Sequence, residues 1–138
     1  MPQYKAPIRD MQFVLHELLN AEQHYANLPA FQENVSRELL DQYLEAAADF
    51  CENELSPINQ TGDREGCTWN DGVVTTPTGF KEAYQKYIEL GFPSLSAEEQ
   101  YGGQGLPNSL GIAISEMVGT ANWAWGMYPG LSHGAVRT

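Results

Sequence analysis

Ser132 and His133 stand side by side between Gly130 and Gly134, a hydroxyl next to a base, which is the raw material of acyl transfer. Gly130-Leu131-Ser132-His133-Gly134 even carries the letters of a Gly-x-Ser-x-Gly nucleophile elbow. Such an elbow needs a strand-to-helix turn to raise its serine, however, and the sequence leading into Ser132 is helical in pattern. A small serine hydrolase, with hydrolysis abolished by Ser132→Ala, is therefore the least favoured reading. The glycines of Tyr101-Gly102-Gly103-Gln104-Gly105-Leu106-Pro107 could bring backbone N–H groups close to an oxyanion. They lack the preceding strand and full spacing of a dinucleotide loop, and the Lys-Ser or Lys-Thr of a P-loop, so a tight turn feeding a helix is the better reading.

Metal chemistry has little support. His16 and His24 are two helical turns apart, about 12 Å, too far to share one ion. Glu33, Glu38, Asp41, Glu45 and Asp49 could be imagined as a carboxylate cluster, but bundle sites of that kind pair Glu with Glu-x-x-His, a motif this sequence does not contain. A solvated helix face is expected. The one apolar concentration that core packing does not obviously exhaust is Trp123-Ala124-Trp125-Gly126-Met127-Tyr128-Pro129, where indoles and a phenol suit core, an interface or the wall of an apolar ligand pocket.

The elements that position these residues are helical. Met11, Val14, Leu15, Leu18 and Leu19 follow i, i+3, i+4 spacing, with Asp10 placed to cap the segment. After Asn27-Leu28-Pro29, a stripe through Leu40, Tyr43, Leu44, Ala47, Ala48, Cys51 and Leu55 predicts a helix over about 35–55, stopped by Pro57. Residues 56–76 read as a loop with at most a short hairpin around 68–76. Phe80, Ala83, Tyr84, Tyr87 and Ile88 mark a further helix, with Thr76 or Thr78 as cap and Gly91 as terminator. A glycine- and proline-rich loop spans 91–107. Asn108 is then placed to cap a helix with the stripe Leu110, Ala113, Ile114, Met117, Val118 and Ala121, and an almost wholly apolar segment runs over 122–138. The fold class is all-α, a small bundle of about four to six helices. The final residues offer neither a cap nor a terminating glycine, so the sequence reads as a fragment of a longer helical arrangement.

Composition narrows the partners. A formal net charge of −11 repels phosphate backbones and anionic headgroups, and the 7 Lys and Arg residues form no patch, which argues against nucleic acid and membrane surfaces and against a polyanion clamp in this segment. Cys51 and Cys67 have neither the number nor the spacing of a disulfide framework, and free thiols are expected. No signal peptide is apparent and no apolar run nears the roughly 18 residues of a membrane span, so a soluble, cytoplasmic protein is expected.

A resemblance extends the reading. Pro7-Ile8-Arg9-Asp10-Met11-Gln12-Phe13-Val14-Leu15 resembles the opening of the larger bacterial acyl-CoA dehydrogenases. The likeness continues through Gly79-Phe80-Lys81-Glu82-Ala83-Tyr84, the turn from Glu99 to Pro107, Ser115-Glu116-Met117, and Tyr128-Pro129-Gly130-Leu131-Ser132-His133-Gly134. Tyr-Gly-Gly-x-Gly-Leu-Pro is the most specific element, and the set is most similar to the branch acting on 3-methylmercaptopropionyl-CoA.

The resemblance implies an N-terminal extension over 1–34 followed by the family's helical N-terminal domain over 35–138, truncated at its C-terminal end. It further implies, for the complete protein, an FAD-dependent α,β-dehydrogenation of a short acyl-CoA thioester, an electron-transfer acceptor and a homo-oligomer. The catalytic glutamate and the flavin contacts would lie outside this chain, leaving it without catalytic, cofactor or metal residues and inactive alone. Trp125, Gly126 and Pro129, with Tyr128 adjacent, match the wall of the acyl-tail pocket, and the bulk of Trp125 would shorten that pocket. The rival reading is a free-standing helical interaction module without catalysis.

Overall fold

Leu44, Ala47, Cys51 and Leu55 lie on one side of a helix and are fully buried, because i, i+3, i+4 spacing brings them to the same face. The computed structural model, which describes residues 3–136, packs that face against Leu110, Ile114 and Met117 of the last helix. Each such side chain removed from water contributes roughly 1.5–3 kcal/mol. In chain order the described elements are α1 (Ile8–Gln12) with a π-helical continuation (Phe13–Leu18), α2 (Ala21–Ala26) and α3 (Arg37–Phe50). A second π-helical stretch (Cys51–Leu55) then leads into α4 (Ser56–Glu65). The hairpin β1 (Thr68–Asn70) and β2 (Val73–Thr75), α5 (Phe80–Glu89), two short 3₁₀ turns (Phe92–Ser94 and Glu99–Tyr101) and α6 (Asn108–Val136) complete them. The fold is all-α apart from that antiparallel hairpin, in which Trp69 pairs with Val74.

Several expected boundaries move, each for a local reason. Asp10 does not cap α1: the helix starts two residues earlier, after Pro7, and leaves the Asp10 carboxylate inside the first turn, where the helix dipole still favours it. Pro57 does not end the second helix. The wider π-helical turn just before it relieves the clash between the proline ring and the carbonyl one turn back, and Pro57 then opens α4, where a missing N–H costs little. Residues 56–65, expected as loop, are therefore helix, ended at Gly66 with φ 64°.

Neither Thr76 nor Thr78 caps α5. Gly79, at φ 85°, precedes it, and the Thr78 N–H instead donates to Glu65 Oε2 at 2.7 Å. Gly91 terminates that region in the left-handed conformation, as its spacing predicts. Ser36 caps α3 by accepting from the Leu39 N–H.

The N-terminal segment is fastened by polar contacts that sequence spacing does not reveal. His16 is buried, with Nε2 2.9 Å from Asp41 Oδ1, while Gln12 Nε2 donates to the same oxygen at 3.0 Å. His16 Nδ1 faces Glu22 Oε1 at 2.5 Å, without the alignment of a hydrogen bond. Asp41, expected on a solvated face, thus turns inward, whereas Glu33, Glu38, Glu45 and Asp49 are exposed. Lys5 and the Ala6 N–H both donate to Glu52, and Tyr25 shares a hydrogen bond with Ser109 at the start of α6.

Candidate functional site

The aromatic side of α5 and the 3₁₀ turn behind it meet α6 at a break in the last helix. Asn122 leaves helical geometry at φ −160°, ψ 88°, and its buried side chain ties the stretch after the break to the π-helical turn at Cys51–Leu55. Nδ2 donates to the Leu55 carbonyl at 3.3 Å and Oδ1 accepts the Trp125 N–H at 3.1 Å, so this asparagine acts as an internal cap for the second half of α6. Because the helix changes direction there, a cavity of about 410 Å³ opens beside it.

α5 contributes Tyr84 and Tyr87, the turn contributes Phe92, Pro93, Leu95 and Ser96, and α6 contributes residues on both sides of Asn122, among them Val118, Gly119, Trp123, Gly126, Met127 and Pro129. Ser96, Ser115, Ser132 and His133 are polar groups on an otherwise apolar wall. Volume and lining suit a small apolar ligand group with a few polar contacts.

Of the four residues expected at an acyl-pocket wall, Gly126 and Pro129 line this cavity and Trp125 and Tyr128 do not. Trp125 is completely buried behind the cavity: its ring contacts Phe50, Tyr84 and Tyr87 at centroid distances of 5.7, 6.1 and 5.4 Å, and Nε1 donates to the Phe80 carbonyl at 3.0 Å. Its bulk supports the wall without shortening the space. Tyr128 turns the other way, packing edge-on to Phe80 with its hydroxyl 3.5 Å from the Cys67 thiol; that thiol, aided by burial, pushes the phenol above its ordinary range. Tyr87, desolvated and beside Tyr84, is pushed up to about 12 and stays protonated as a neutral wall.

Trp123, which belongs to the apolar segment singled out in the sequence but not to the four residues matched to the wall, does line the cavity. It is 71% exposed and extends along the cavity, resting on Gly119 one turn earlier. A Cβ at residue 119 would lie 2.9 Å from Trp123 Cε3, so alanine there would displace the indole. The backbone at Gly119 does not need glycine's left-handed freedom, and a helix-interior glycine costs about 1 kcal/mol relative to alanine. The Gly119-Trp123 spacing of four was the available signal, but nothing in sequence distinguishes a seated indole from a core one.

The glycine turn holds structure, not phosphate. The N–H groups of Tyr101 through Leu106 all donate to carbonyls of residues 94–99, and Gln104 bridges the Gly91 carbonyl, at 2.8 Å, to the Tyr43 hydroxyl. A Cβ at residue 103 would come within 2.0 Å of the Ala97 carbonyl oxygen, which explains that glycine as a close backbone approach. Gly130-Leu131-Ser132-His133-Gly134 lies within α6 and not on a strand-to-helix turn, and among the described residues no strand leads into it. The elbow geometry of a hydrolase is thus absent there. His16 and His24 share no ligand set, and among the described residues no group of His, Cys, Asp and Glu could hold a metal ion.

The profile of the acyl-CoA dehydrogenase N-terminal domain matches residues 37–138. The chain belongs to the acyl-CoA dehydrogenase family. It is similar to 3-methylmercaptopropionyl-CoA dehydrogenase from Ruegeria pomeroyi (strain ATCC 700808 / DSM 15171 / DSS-3), with 35% identity over 135 residues, 96% of this chain. The chain spans 22% of that relative's length. The matched region of the acyl-CoA dehydrogenase family contains the cavity, the glycine turn and the whole of α3 to α6, while α1 and α2 precede it.

The residues present do not fit a flavin pyrophosphate. The turn's N–H groups are already bonded, the cavity wall is mainly apolar, and the chain carries a net charge of −11. Among the described residues no helix is long and apolar enough to cross a membrane.

Proposed function

We propose that this chain supplies one wall of the acyl pocket in an FAD-dependent acyl-CoA dehydrogenase that performs α,β-dehydrogenation of a short acyl-CoA thioester. The observation that carries the reading is the apolar cavity beside the break at Asn122, located inside the region matched to the family. Gly126 and Pro129 line the acyl tail, and Trp125 and Tyr128 support them from behind. Residues 35–138 form the helical domain and residues 1–34 an extension that braces α3 through the His16–Asp41 contact.

The relative's name supports a sulfur-containing short acyl-CoA as the substrate class. Flavin, the α-proton base and the adenine contacts belong to other parts of the complete, cytoplasmic, homo-oligomeric protein, which passes its electrons to an electron-transfer acceptor. Alone, the 138-residue chain is inactive. The exposed apolar row Trp123, Met127 and Leu131 on α6 suits contact with those other parts.

The test is anaerobic flavin absorbance on the complete protein. Yellow protein that bleaches when a short acyl-CoA is added agrees with the proposal. Colourless protein that takes up no added FAD would favour a helical interaction module without catalysis.

A further inference from the structure

We propose that Trp123, seated on Gly119, sets the acyl-chain length that the cavity accepts, admitting short tails and excluding long ones. The inference rests on the acyl-pocket reading above and deepens it by naming the residue that decides the substrate class.

Trp125 and Trp123 are two positions apart, yet Trp125 is enclosed and structural while Trp123 is 71% exposed and lines the cavity. An exposed indole held against one side of a cavity needs a seat, and Gly119 provides it: a methyl group there would meet the ring at 2.9 Å. A helical backbone does not require glycine at this position, so the seat is what the missing side chain provides. Phe92, Pro93 and Leu95 line the same cavity. Held against Gly119, the ring occupies space that additional methylene groups of a longer acyl tail would need, leaving room for a short tail.

The experiment compares kcat/KM for butyryl-CoA and dodecanoyl-CoA in the complete enzyme carrying Trp123→Ala, Trp123→Phe, Gly119→Ala or the Gly119→Ala/Trp123→Ala pair. Trp123→Ala should raise the dodecanoyl-to-butyryl ratio on the order of tenfold or more, as removal of several methylene-sized clashes would. Trp123→Phe, the variant closest in shape to the native residue, should give an intermediate ratio. Gly119→Ala should move the ratio the same way by displacing the ring, and should add nothing in the Trp123→Ala background, since its effect passes through the indole. A ratio unchanged by both Trp123 variants overturns the inference while leaving the dehydrogenase reading intact, as does a Gly119→Ala effect that persists in full without the indole. Native protein that dehydrogenates no acyl-CoA overturns the proposed function and this inference together.

Discussion

The two faces of the second half of α6 use the same residue type in opposite ways. On the packed face, Trp125 is surrounded by Phe50, Tyr84 and Tyr87, and its one polar atom is satisfied by the Phe80 carbonyl. On the cavity face, Trp123 has no indole hydrogen bond among the described contacts and lies over a glycine. A helix rotates about 100° per residue, so two positions suffice to carry a side chain from the core to a cavity. The comparison teaches that aromatic concentration locates a functional region, while helix phase separates its supporting residues from its lining residues.

Breaking the packed face should have the largest effect. Trp125→Ala is expected to cost about 3–5 kcal/mol of stability, because it opens a large cavity and removes the indole hydrogen bond to the Phe80 carbonyl; urea unfolding of the chain measures it. Asn122→Ala attacks the break from which the second half of α6 starts. It removes both a buried bridge to Leu55 and the cap on the Trp125 N–H, and should cost about 1–2 kcal/mol, read from the same unfolding curves.

Acid probes a place apart from either tryptophan. Hydrogen bonds from Lys5 and then from the Ala6 N–H hold the Glu52 carboxyl below its ordinary range. A depressed pKa of this kind contributes stability above the unfolded-state value, about 4.3, and that contribution is lost as pH falls through the folded-state value. Protection of the amides at residues 4–8, corrected for the intrinsic exchange rate at each pH, should therefore weaken slightly as the pH falls below the ordinary carboxylate range, while protection around Trp125 is unchanged at that step. Smallest of all should be the stability change in Trp123→Ala, within about 0.5 kcal/mol, since the residue is mainly exposed. A loss comparable with that of Trp125→Ala would erase the distinction between the faces.

Helical periodicity made α3, α5 and the first half of α6 legible, because each buries one continuous stripe such as Leu110, Ile114, Met117 and Ala121. The hairpin was legible from turn residues, with Asp71 and Gly72 both at positive φ. The continuation past Pro57 was not, since a π-helical turn has no simple residue signature. Nor was the His16–Asp41 contact, made across a separation of 25 residues by groups that look like ordinary surface polars. At the site, Gly126 and Pro129 could be named from resemblance, but Trp125 stands behind the cavity and Trp123 lines it, because helix phase beyond Asn122 is set by a break that lies within one apolar stretch.

Photolabelling addresses the central claim most directly. A short acyl-CoA bearing a photoreactive group at the end of its acyl tail would be bound to the complete protein, irradiated, and the adducts mapped by mass spectrometry. The account predicts adducts on the peptides containing Phe92–Ser94 and residues 111–130, with Trp123 and Gly126 among the sites. Saturable labelling found only outside residues 1–138 would contradict it.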